Sequence, residues 1–226
     1  MTTIGATLKQ RAIRAMVRQF HQPRGLAGRL AGWIMAHRDS NLRRNRWAVS
    51  LLDIGPTDRV LEVGFGPGIA IAELTGRATR GHVYGVDHSE VMVRQAARRN
   101  AAAIRAHRVH LAHASVDRLP DFGEPFDAVL AVNSVGMWPD PVEGLRRIRR
   151  LLRSGGRIAL VSQPRCPGAT RDTTARAAQE LQDLLTRAGF TRLRAETLEL
   201  DPPAACVLAD NPADDPADDP ADDPAG

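Results

Sequence analysis

Short apolar runs alternate with amphipathic stretches through most of the chain, and that alternation sets the architecture. Runs rich in Val, Ile, Leu and aromatic residues predict strands near 59–63 (Arg-Val-Leu-Glu-Val), 82–86, 108–112, 126–132 (Phe-Asp-Ala-Val-Leu-Ala-Val) and 157–162. Helical spacing predicts helices near 69–77, 89–101, 141–152 and 172–188. Strands that alternate with helices in this way read as a parallel sheet covered on both faces. Gly155-Gly156 breaks the chain between helix and strand, and Gly189 follows the last helix as a C-cap. Two weaker strands, near 191–199 and 204–208, complete the sheet. The expected fold is α/β, a doubly wound, mostly parallel seven-stranded sheet of Rossmann-like type with an N-terminal helical cap.

The two ends read differently from this middle. Ile4, Leu8, Ala12, Met16 and Phe20 fall near one helical face, and Pro23 and Gly25 interrupt it. A second stretch carries Leu26, Leu30, Trp33 and Ile34, and Asp39-Ser40-Asn41 predicts a cap for a helix through Trp47 to Leu52. From Pro212 the unit Pro-Ala-Asp-Asp repeats three times, with no apolar face to bury, which predicts disorder. The expected organisation is a helical cap or lid over 1–45, a main domain over 46–208 and an acidic repeat tail over 209–226.

Charge refines this picture more than composition does. A chain of 226 residues with 43% hydrophobic content can bury one stable core without disulfides. Net charge is +5, yet residues 1–50 hold ten bases against Asp39 alone, and residues 210–226 hold seven Asp and no base. Such asymmetry fits first a solvated helical face with an acidic tail that partly offsets it, and second a basic N-terminal helix lying on an anionic membrane or on RNA. Lys9, Arg11, Arg14 and Arg18 interrupt every apolar run near the start, so no secretory leader is expected, and no stretch is apolar enough to span a bilayer. Cys166 and Cys206 lack disulfide or metal spacing, so a cytoplasmic protein with reduced cysteines and no metal is expected.

The candidate chemistry lies after the first strand, in Glu62-Val63-Gly64-Phe65-Gly66-Pro67-Gly68. Glycines allow a tight turn and let backbone approach a ligand that a Cβ would block. A dinucleotide fingerprint requires Gly-x-Gly-x-x-Gly, but its third glycine position is Ile69 here. The pattern is instead Gly-x-Gly-x-Gly behind an acid, a poor neighbour for pyrophosphate and a good one for an ammonium. Asp87 ends the next strand, where a carboxylate can accept hydrogen bonds from ribose hydroxyls. Together these features point to S-adenosylmethionine.

At these residues the chain resembles a class I S-adenosylmethionine-dependent methyltransferase of small-molecule type, over about 46–208. Val60–Gly68 resembles the first motif, Val83–Asp87 the second and Phe126-Asp127-Ala128-Val129 the fourth strand. Leu145 to Leu160 resembles the helix, turn and fifth strand, with Ser154 in place of the usual proline, and Ala188-Gly189-Phe190 the turn before the sixth. The resemblance implies cofactor contacts from Glu62, Gly64, Phe65, Gly66, Gly68, Asp87, His88, Ser115, Val116 and Asn133. Ser115 stands where the family often has an adenine-binding acid, and a hydroxyl is the weaker acceptor. His37 and Trp138 are candidates for the acceptor pocket, and the catalytic base is left unassigned.

The subclass follows by elimination among family patterns. Asn133-Ser-Val-Gly-Met-Trp lacks the Pro-Pro-aromatic motif of amino-methylating DNA enzymes. Cys166 has no context of an attacking thiol, and Asp140 alone is too little for a metal-dependent enzyme. The expected activity moves a methyl group from S-adenosylmethionine to a small or lipophilic organic acceptor, leaving S-adenosylhomocysteine. RNA methylation through the basic N-terminal region and a non-catalytic S-adenosylmethionine-binding module are the alternatives.

Overall fold

The computed structural model describes residues 39–213. The expectations for residues 1–38, His37 included, and for 214–226 lie outside the described residues. The first element, α1 (Asp39–Leu51), runs without a break through residue 45, where a boundary between cap and domain was expected. It buries Ala48 and Val49, with Leu52 just beyond, against the rest of the fold.

The order then follows the alternation in the sequence: β1 (Arg59–Val63), α2 (Ile69–Arg77), β2 (His82–Asp87), α3 (Glu90–Arg99), α4 (Ala101–Arg105) and β3 (Val109–His113). After β4 (Phe126–Val132) and one 3₁₀ turn come α5 (Pro141–Leu151), β5 (Leu152–Ser162), α6 (Arg171–Arg187), β6 (Thr191–Leu198) and β7 (Ala204–Asp210). One seven-stranded sheet results, in the order β3-β2-β1-β4-β5-β7-β6. All neighbouring pairs are parallel except those of β7, which runs antiparallel to β5 and β6. The expected α/β, mostly parallel, Rossmann-like sheet is therefore the observed one.

Two apolar cores lie on the two faces of this sheet. Strand alternation divides β4 between them: Ala128, Leu130 and Val132 face α1 and α2, while Val129 and Ala131 face α5 and α6. On the second face Leu145, Ile148, Ile158 and Leu160 are completely buried, and each side chain of this size contributes roughly 1.5–3 kcal/mol. Asp140 starts α5 by accepting from the Glu143 amide at 3.0 Å, with Pro141 in the first turn where no amide is needed. Thr170 and Thr173 form a reciprocal cap on α6.

Two predicted elements differ in detail. The single helix expected over 89–101 divides at Asn100 into α3 and α4, because the Asn100 side chain turns back to the carbonyls of Ala96 and Gly68. Gly155-Gly156 does not separate helix from strand: β5 begins at Leu152, and the pair forms a bulge within it. Asn211 holds that bulge by exchanging backbone hydrogen bonds with Gly155 and Gly156, so ordered structure continues past residue 208, where the tail was expected to start.

Candidate active site

The sheet order reverses between β1 and β4, and the loops after their carboxyl ends flank the crevice at that point. Gly64 follows β1 and donates its amide to Val86 O at 2.8 Å, so pairing with β2 continues one residue into the loop. Its φ of +79° suits glycine, and an added Cβ would lie 2.4 Å from Cβ of Ser134. Ser134 follows β4 and donates Oγ to Val63 O at 2.7 Å, locking the two strand ends together. The space around Gly66 is open, whereas a Cβ on Gly68 would meet Ala96 and Asn100 of the helix behind it. The three glycines thus do different work. Gly64 permits close approach of β4, Gly66 faces free space, and Gly68 seats the loop on α3.

Asp87 joins this loop to β2. Its carboxylate accepts from the amides of Gly66 and Ser89, both at 2.8 Å, and the residue is buried. Burial raises the carboxyl above its ordinary range, and the two amides and the nearby His88 and His113 oppose that rise. His113, at the end of β3, donates Nε2–H to His88 O at 2.9 Å, fixing the turn that follows Asp87.

Glu62 lies beneath the loop and is almost completely buried. The amide of Ile71 bonds its carboxyl, but Oε2 is buried with no hydrogen-bond partner. Burial first, then the charge of Asp87, push this carboxyl well above its ordinary range. An orphaned carboxyl oxygen beside a glycine loop is the complement of an ammonium group.

A cleft opens beside Gly64 and Asp87. Val63, Gly64, Val86, Asp87, His88, Ala114, Ser115, Val116 and Ser134 line it, and Met137, Trp138 and Pro139 form a further wall. Of the residues expected from sequence, Gly64, Asp87, His88, Ser115, Val116 and Trp138 converge here. Trp138 both packs and lines the cleft. Its ring lies against Gly144 of α5, where a Cβ would come within 3.0 Å, and it faces the cleft.

Two expected residues, Phe65 and Asn133, take other roles, and Ser115 has a second contact. The Phe65 ring belongs to the core, under Gly85, whose Cβ would sit 2.6 Å from Cδ1 of the ring. Asn133 has a φ of +53° and turns its Oδ1 to the Gln163 amide at 2.7 Å, and the next residue, Ser134, lines the cleft in its stead. Ser115 does line the cleft, but its side chain also hydrogen-bonds Asp117, holding that carboxyl below its usual range, so an acid stands two residues on. Sequence reading missed Ser134 and Met137. Their position directly after an apolar strand at the crevice was the available signal.

Fold and site together define a binder of S-adenosylmethionine. The buried Asp87 carboxylate, the orphaned Glu62 oxygen and a loop that excludes a Cβ at Gly64 all suit that molecule. Comparison with known proteins agrees. A model of the methyltransferase domain family matches residues 60–156. An uncharacterized methyltransferase of Bacillus subtilis, YdaC, is 32% identical, the match covering 81% of this chain and 99% of the relative. The ubiquinone/menaquinone biosynthesis C-methyltransferase UbiE of Geotalea daltonii is 28% identical over 53% of this chain and about half (52%) of its own length. Among solved structures, the N-methyltransferase NodS of Bradyrhizobium japonicum, in complex with S-adenosylhomocysteine, matches with a TM-score of 0.63 at 17% identity, covering 80% of this chain and 91% of that one. The chain belongs to the class I S-adenosylmethionine-dependent methyltransferases.

Proposed function

We propose that this methyltransferase acts on a small or lipophilic organic acceptor, at oxygen, nitrogen or carbon in that order of preference. The observation that carries this reading is the Met137-Trp138-Pro139 wall beside the glycine loop. Met137 is 38% exposed there, the exposed large hydrophobic side chain among the described residues. The names of the relatives lend support, since UbiE is a quinone-biosynthesis enzyme and NodS an N-methyltransferase.

In this reading Asp87 accepts from the ribose hydroxyls, Glu62 faces the ammonium of the methionine part, and Ser115, with Asp117 behind it, meets the adenine amine. The sulfonium of S-adenosylmethionine supplies a methyl group that is already electrophilic. The protein's own work is then to align the acceptor and exclude water. Among the described residues the titratable ones lining the cleft are Asp87, on the ribose, and His88, beside the adenine, which accords with catalysis by positioning. His37 keeps its candidacy as an acceptor-side residue from the sequence alone.

The described part of the basic N-terminal stretch does not favour RNA. Arg44 is buried, and Arg46 donates to Glu73 at 2.8 Å. Among the described residues no helix is long and apolar enough to cross a membrane. The test is transfer of labelled methyl from S-adenosylmethionine to a panel of quinols, phenols and amines, with bulk tRNA alongside. Label in a small acceptor is expected. Label in tRNA and in none of the panel overturns the proposal.

A further inference from the structure

Helix α5 buries a position that carries no side chain. Val142, Leu145 and Ile148 form its buried apolar stripe, and Gly144 is buried beside them. In a helix interior glycine is the least favourable residue after proline, so local propensity does not explain it. Packing uses the room instead. A Cβ at 144 would lie 3.0 Å from Cε3 of Trp138 and 3.1 Å from Cγ2 of Val116, and both of these residues line the cleft. By contrast, a Cβ on Gly76, inside α2, would meet nothing within 4 Å.

The two neighbours differ in how they can yield to an added methyl. Val116 is 4% exposed and belongs to the core on that face of the sheet. Trp138 is half-buried, and the space open to it is the cleft. The backbone around Trp138 is pinned. Its amide donates to Val135 O at 3.1 Å, Asp140 caps α5, and the Gly144 amide donates to Asp140 O at 2.9 Å. Crowding at 144 therefore moves the Trp138 ring rather than the turn that carries it, and moves it into the cleft.

We propose that Gly144 is a positioning residue for acceptor selection. Having no side chain, it lets the Trp138 ring stand back on α5, and so it sets the width of the acceptor end of the cleft. The indole, with Met137 and Pro139 beside it, offers a face suited to a planar, apolar acceptor. This inference rests on the reading of Trp138 as part of the acceptor wall.

Labelled-methyl transfer from S-adenosylmethionine is measured with matched one-ring and two-ring acceptors that share a reacting group. The pairs are phenol with naphthol, aniline with naphthylamine, and hydroquinone with naphthohydroquinone, with bulk tRNA alongside. In Gly144→Ala the ratio of two-ring to one-ring kcat/KM is expected to fall about tenfold, the low end of what one carbon of room is worth in an apolar pocket. A general loss of folded protein would depress both members of a pair together and leave that ratio unmoved. Gly76→Ala, the same change at an open helical position, should keep the native ratio. Trp138→Phe, with its smaller ring, should restore the ratio when added to Gly144→Ala. An unchanged ratio in Gly144→Ala overturns the inference while the acceptor reading stands. Failure of Gly144→Ala to fold also overturns it, because the ring is then not free to yield. A native protein that labels no two-ring acceptor lacks the room proposed and overturns it too. Label in tRNA and in none of the six overturns the acceptor reading as well.

Discussion

The backbone amide of Gly66 donates to Oδ2 of Asp87 at 2.8 Å, which ties the middle of the glycine loop to the end of β2. The carboxylate expected to hold a ribose therefore also holds the loop that frames it. Its other oxygen accepts from Ser89 and fixes the start of α3. Binding and loop order are consequently coupled through one side chain.

Asp87→Ala should reveal this coupling. It leaves the amides of Gly66 and Ser89 without their acceptor, at about 1–3 kcal/mol each if they stay buried. S-adenosylhomocysteine affinity should fall by roughly two orders of magnitude, with a lowered Tm. Asp87→Asn keeps an acceptor oxygen and should lose less of both. Calorimetry showing unchanged binding in Asp87→Ala would remove the ribose assignment.

Gly64→Ala and Gly66→Ala form a contrasting pair. Both place alanine at positive φ, which costs about 1–2 kcal/mol. Only at Gly64 does the new Cβ also collide with Ser134, at 2.4 Å. Gly64→Ala should therefore lower stability by clearly more than Gly66→Ala and push the ends of β1 and β4 apart. Equal denaturation midpoints for the two variants would show that the Ser134 contact relaxes freely.

Glu62 gives a pH signature. Its folded-state carboxyl is raised above its ordinary value, so the stability it contributes is fully present below the unfolded pKa and fades as pH rises through the raised folded value. Glu62→Gln removes the ionisable group. Without cofactor the variant should gain on the native protein as pH rises from 5 to 9, by about 1 kcal/mol or more. Cofactor affinity should move the opposite way, since the amide cannot offer charge to an ammonium. Parallel Tm-versus-pH curves for the two proteins would contradict the burial argument.

Asn100→Ala tests the support behind the loop. The buried side chain donates to Gly68 O at 3.1 Å and Ala96 O at 2.9 Å, and its removal should cost about 1–3 kcal/mol. The freed Gly68 should loosen the loop, so cofactor affinity falls although Asn100 does not line the cleft. Hydrogen exchange at residues 64–68, before and after S-adenosylhomocysteine is added, reads that loosening directly.

Most of the architecture was legible along the chain, because strands buried on both faces must be apolar throughout and glycines must interrupt them where ligands approach. The run at 126–132, the loop at 62–68 and the acid at 87 needed no three-dimensional information to be found. Helix and strand ends were less legible. Asn100 divided a continuous amphipathic pattern, and Gly155-Gly156 became a bulge, because Asn211, far along the sequence, exchanges backbone hydrogen bonds with the pair.

By itself the sequence determined the class of fold and the donor molecule, since both depend on local periodicity and on residue types that tolerate a tight turn. Only the tertiary structure decided which of those residues face the cleft. It sent Phe65 into the core, put Ser134 where Asn133 was expected, and brought Arg44 to Gln163, which lies 119 positions further on. Whether a side chain meets ligand or core is settled by packing between elements distant in sequence, and no local pattern encodes that.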